Sequence, residues 1–163
     1  MESPIPDLIH GLRCLSSNLA KAEAHCESHK ISPDALLKAR LYPDMFHLTR
    51  NVTTACDAAK FTAARLSQTE PPRYEDNEAS FAELQARIVK TIAFLQTIPD
   101  TAFAAAETHE LTVPLAPEGT APNGQTYLAR FGMPNFYFHL ATAYNILRHN
   151  GVVLGKRDFL WVR

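Results

Sequence analysis

Runs of like charge, spaced cysteine pairs and long apolar stretches are all missing from this chain, and each gap removes a class of function. The net charge is −1 at pH 7, and without a block of like charge nothing draws the chain to nucleic acid or to an anionic membrane surface. Cys14, Cys26 and Cys56 form an odd set of three with no metal-type spacing. The first residues lack a basic region followed by an apolar core. We therefore expect a cytoplasmic setting, with reduced thiols packed as small hydrophobes. No apolar run approaches the roughly 20 residues that a membrane-spanning helix needs. Phosphate loops, dinucleotide fingerprints and nucleophile elbows are absent too, which disfavours nucleotide-driven and redox-cofactor chemistry, so we expect no cofactor.

What is present is helical periodicity. At 163 residues and 46% apolar composition the chain suits one domain with a sizeable core. Residues 4–29 carry Ile5, Leu8, Leu12, Leu15, Leu19, Ala22 and Cys26 at alternating spacings of three and four, the seam of a helix packed lengthwise on its neighbours. After a connection over 30–42 with a short helical turn at Ser32 and Pro33, a second seam begins at Pro43 and Asp44. It runs Met45, Leu48, Val52, Ala55, Ala59, Ala63, Leu66. A polar connector broken by Pro71 and Pro72 leads to Ser80, which with Glu83 matches a capping box. Phe81, Leu84, Ile88, Thr91 and Leu95 give the third seam, with Arg87 and Lys90 pointing away from it, and Pro99 ends the helix. The last long helix starts at Pro134 and stops at Asn150 and Gly151, where glycine takes the left-handed conformation. Between them, 110–115 and 125–128 have strand-like composition separated by Pro117, Gly119, Pro122 and Gly124, so a small β-hairpin or a long loop is expected there. The sum is an all-α four-helix bundle with that insertion between its third and fourth helices, one domain over 1–163.

Several stretches then look familiar. PNFYFHLATAYNILRHNGVVLGKRDFL resembles the C-terminal signature of an uncharacterised helical family grouped with the DinB-like bundles. YPDMFHLTRNV and EDNEASFAELQARIVKTIAFL resemble its second and third helices. The resemblance covers nearly the whole chain. It implies a left-handed DinB-like four-helix bundle, often dimeric, so a homodimer is expected, and relatives that bind a metal and act as thiol-dependent transferases or hydrolases. Their metal site resembles one histidine of the second helix plus a His-x-x-x-His pair of the fourth. Carried over, the resemblance assigns His47 and His139, with zinc or nickel as the ion. The pair itself is missing, since the positions four residues either side of His139 are Asn135 and Ala143.

His139 stands out on the residues alone. It lies among aromatic and aliphatic side chains, and a buried neutral imidazole offers a donor, an acceptor and a pKa close to neutrality. Tyr137 and Tyr144, seven residues apart, are candidates to steady a carbonyl or enolate oxygen. Phe136, Phe131 and Tyr127 are candidate substrate contacts, and Arg148 and His149 a cationic pair for an anionic group. Packing specificity alone also explains a buried histidine. A pairing of Arg148 with Asp158 likewise explains the cationic cluster, with Phe159, Leu160 and Trp161 folding the tail onto the bundle. The expected function is small-molecule binding, with His139 as general acid and base in a cofactor-independent isomerase, cyclase or lyase. The alternatives are a metal-dependent transferase or hydrolase and a structural dimer.

Overall fold

Four long helices make the frame of the computed structural model, which describes residues 1–108, 110–113 and 121–162. They are α1 (Ile5–His29), α3 (Leu48–Ser67), α4 (Phe81–Gln96) and α6 (Met133–His149). Short helices α2 (Pro33–Leu37), α5 (Gly124–Tyr127) and α7 (Lys156–Leu160) join or extend them, and a 3₁₀ turn spans Asp100–Phe103. Around the bundle α1 packs on α4, α4 on α3, α3 on α6 and α6 back on α1. The seams supply the core: Leu8, Leu12 and Leu19 of α1, Leu48, Val52 and Ala59 of α3, and Leu84 and Leu95 of α4 are wholly enclosed. All three cysteines are buried free thiols. No helix among the described residues is long and apolar enough to cross a membrane.

Local chemistry sets the ends. Ser80 Oγ accepts from the Glu83 N–H at 3.2 Å, so the expected serine cap forms, while the Glu83 carboxylate reaches one residue further back than a capping box and accepts from the Ala79 N–H at 2.7 Å. Gly151 has φ 91°, the left-handed stop expected after α6. The second long helix starts later than Pro43, because His47 caps it: its Nδ1 accepts from the Arg50 N–H at 3.1 Å.

The segment between α4 and α6 departs most from the sequence reading. Glu110 and Asn123 form an isolated antiparallel bridge, with the Leu111 N–H on the Pro122 carbonyl at 2.9 Å. Residues 114–120, including Leu115, Pro117 and Gly119, lie outside the described residues. The strand expected over 125–128 is helical instead. Asn123 Oδ1 accepts from the Thr126 N–H at 2.9 Å and starts α5, which passes through a π-helical turn, Leu128–Gly132, straight into α6. Residues 124–149 are thus one continuous rod.

Two other expectations are corrected. Arg87 does not point to solvent; it is 0% exposed beneath the connector that precedes α4. Asp158 pairs with Lys21 at 2.6 Å rather than with Arg148, and its other oxygen accepts from the Gly155 N–H at the start of α7. The tail does fold back: Phe159 meets Tyr144 edge-on at 5.7 Å, and the Leu160 carbonyl lies 2.7 Å from His10 Nε2.

Candidate functional site

A cleft of about 370 Å³ runs between α3 and the 124–149 rod. The two cross antiparallel, as the contacts at their ends show: Asn51 of α3 meets His139, and Arg65 of α3 meets Tyr127. One stripe of α3 faces the cleft, Thr54, Asp57, Ala58, Phe61, Thr62 and Arg65 at helical spacing. The rod contributes Tyr127, Phe131, Asn135 and His139, and Phe46 closes one end. Three steps of four residues in a row are possible because of the π turn. In a pure α-helix each step of four drifts about 40° around the axis, about 120° over three steps, and one extra residue takes back about 100°.

At the His139 end the hydrogen bonds fix a tautomer. Asn51 Nδ2 donates to the Phe46 carbonyl at 2.9 Å and to the His47 carbonyl at 3.1 Å. Its Oδ1 is therefore the atom facing His139 Nδ1, at 3.0 Å. An amide oxygen has no proton to give, so Nδ1 carries it and Nε2 keeps a lone pair, on a residue that lines the cleft. Burial, and then the positive charge of Arg50, hold the imidazole pKa below its ordinary value. Phe46 stacks near-parallel on the ring at 6.2 Å and Phe138 meets it edge-on at 5.1 Å. The result is a neutral, oriented imidazole with an aromatic collar.

The opposite end is cationic. Arg65 Nη1 donates to the buried Tyr127 hydroxyl at 3.3 Å, and its guanidinium sits 5.3 Å from the Phe61 ring centre. Asp57, the acid on the wall, is already engaged by Arg87 at 2.9 Å and Lys60 at 2.8 Å.

Of the residues singled out in the sequence, the cleft gathers His139, Tyr127 and Phe131. Phe136 is enclosed in the core against α1, where a Cβ on Gly11 would stand 2.7 Å from its ring. Tyr137 also turns to α1: burial and then the nearby Asp7 carboxylate push its phenol pKa up. Tyr144 lies against Phe159, and Arg148 and His149 are exposed at the far end of α6. The cleft residues that the sequence reading missed are chiefly Asn51, Asp57, Thr62, Arg65 and Asn135. A polar stripe beside an apolar seam was the available signal, and it looks like any solvated helix face.

The donors do not fit a metal ion. His47 spends Nδ1 on the cap of α3, and its pKa is lowered by burial and then by the charges of Arg40 and Arg50. His139 Nδ1 is taken by Asn51. Among the described residues no three His, Cys, Asp or Glu side chains stand together as a group that could hold one, whereas zinc sites take three or four protein ligands.

Fold and connectivity together define a DinB-like helical bundle. The chain belongs to the family described as "Domain of unknown function (DUF1993)", which matches residues 2–160. It is similar to a DinB family member protein from Shewanella denitrificans, whose crystal structure superposes with a TM-score of 0.92 at 38% identity, covering 98% of this chain and 90% of that one. No curated protein matches the chain significantly.

Proposed function

We propose that the cleft binds a small, largely apolar molecule and that His139 exchanges a proton with it, as in a cofactor-independent isomerase, cyclase or lyase. The observation that carries this reading is the Asn51–His139 hydrogen bond, which leaves Nε2 unprotonated on a residue that lines a cleft walled largely by aromatic and aliphatic groups. An imidazole acting as a general base has to be neutral at working pH and within reach of the proton it takes. Burial and Arg50 provide the first condition, and the second depends on the ligand filling the space beside the ring. Arg65 and the Tyr127 hydroxyl supply the polarity that orients such a ligand.

Exchange is directly observable. A panel of small apolar ketones and enoates incubated in D₂O should gain deuterium next to the carbonyl, by NMR, for those that also shift the His139 ring resonances. His139→Gln, which keeps an acceptor without the basicity, should lower that rate by about 100-fold or more. Equal incorporation in the two proteins would remove His139 from the chemistry.

A further inference from the structure

We propose that the molecule held in this cleft is elongated and ends in a carboxylate, which Arg65 anchors at the end remote from His139. The inference rests on the proposed reading of the cleft and adds the class of ligand. Among the described residues Arg65 has no carboxylate partner; its only contacts are the Tyr127 hydroxyl and the Phe61 ring. Guanidinium groups in proteins keep their charge, and one facing a cleft with donors to spare is the usual complement of a planar anion. Neither Thr62, 2% exposed, nor Asn135, half-buried, makes a side-chain hydrogen bond among the described residues, and both line the wall between Arg65 and His139. Polar groups without a protein hydrogen-bond partner among the described residues thus share one wall with Arg65.

Length follows from helix geometry. Asn51, which touches His139, and Arg65 are about four turns apart on α3, roughly 20 Å of rise. A helical side chain leans toward the N-terminus of its own helix, so Arg65 reaches back along the cleft and shortens that span. A volume of about 370 Å³ is near the lower end for ligand sites, and spread over such a length it makes a narrow groove. Ala58, Phe61 and Phe131 give the middle of the groove an apolar wall. The charge points to a single negative end. Among the described residues Asp57 is the cleft's acid, neutralised by Arg87 and Lys60, which leaves Arg65 as the cation on the wall, enough for a carboxylate and short of what a phosphate dianion needs. With the carboxylate at Arg65, the opposite end of the chain or ring lies beside Nε2.

The test compares decanoate with decanamide, probes of equal length that differ in charge, by titration calorimetry and by the His139 ring resonances. Decanoate should bind the unaltered protein at least tenfold more tightly than decanamide and shift the His139 signals. Arg65→Gln should erase that tenfold advantage by weakening decanoate far more than decanamide; Arg65→Lys should restore part of it. If both probes shift His139 with equal affinity, or Arg65→Gln leaves the preference intact, the carboxylate anchor is wrong while the apolar cleft stands. If neither probe binds the unaltered protein, the anchor is again overturned. Should the neutral ketones of the D₂O panel also leave His139 unmoved, the reading of the cleft as a ligand site falls with it.

Discussion

Replacing Asn51 with leucine keeps the size of the side chain and removes three hydrogen bonds at once, two to backbone carbonyls and one to the imidazole. Buried partners left unmatched cost about 1–3 kcal/mol, so Asn51→Leu should lower stability by that amount in urea denaturation. The more telling result is in the ring: without the amide oxygen nothing favours the proton on Nδ1, and the ¹⁵N shifts should move toward a mixture of tautomers. The pH dependence has a definite sign. His139 is held neutral in the fold by burial and then by Arg50, whereas an unfolded histidine takes a proton near pH ~6.5. Below that pH the unfolded chain binds more protons, so the contribution is complete above it and is lost as pH falls toward the depressed folded value. His47 acts in the same direction. An NMR titration should place the His139 midpoint below the ordinary value, and Arg50→Gln should raise it, both by removing a positive charge and by releasing Asp76, its ion-pair partner. A midpoint that stays put in Arg50→Gln would remove Arg50 from the account.

Among the elements, the rod over 124–149 does most to shape the cleft, and Gly132, at the end of its π turn, lies close against α3. A Cβ on Gly132 would stand 2.8 Å from Thr62 Cγ2, the branch of a buried side chain with little room to give. Gly132→Ala should therefore cost about 1–3 kcal/mol and shift the cleft residues, and Thr62→Ser, which deletes that methyl, should recover part of the loss. A calorimetric melt of the single and double variants measures the coupling. The rod also shows what the sequence could tell. Apolar seams, the Ser80 cap and the Gly151 stop follow from neighbours within a turn or two, so they were legible. Gln125, Thr126 and Tyr127 have strand-like composition, but that composition describes a half-buried surface and not a conformation, and the Asn123 cap starts a helix there instead. The two tyrosines were misplaced for a simpler reason. Two residues turn a helix by about 200°, so Tyr137 faces away from His139, and Tyr144, though in register with Tyr137, meets α7. Asn51 was illegible because its partner lies 88 positions away on another helix.

At the scale of the whole molecule, α3, α4 and the connector between them close on a buried set of charges. Arg87 donates to Asp57, Asp76 and Glu78 and to the Glu75 carbonyl, with its guanidinium 4.7 Å from the Tyr74 ring. Lys60, 2% exposed, pairs with Asp57 between the Phe61 and Tyr74 rings, and Arg50 pairs with Asp76. Three cations thus face three carboxylates, and the connector is drawn onto the bundle by the acids it carries. Replacing Arg87 with methionine leaves an excess of negative charge out of water, which should cost about 3–5 kcal/mol, whereas a replacement that also neutralises Glu78, and so keeps Asp57 for Lys60, should return most of it. The same change reaches the cleft, since Asp57 is both a partner of Arg87 and part of its wall. In Arg87→Met the Asp57 charge is less compensated, so the His139 midpoint should rise and decanoate should bind more weakly while decanamide does not. Denaturation of Arg87→Met alone would report only a loosened bundle. A stability loss without any change at His139 or in the carboxylate preference would mean that the buried charges hold the connector in place and leave the cleft's electrostatics alone.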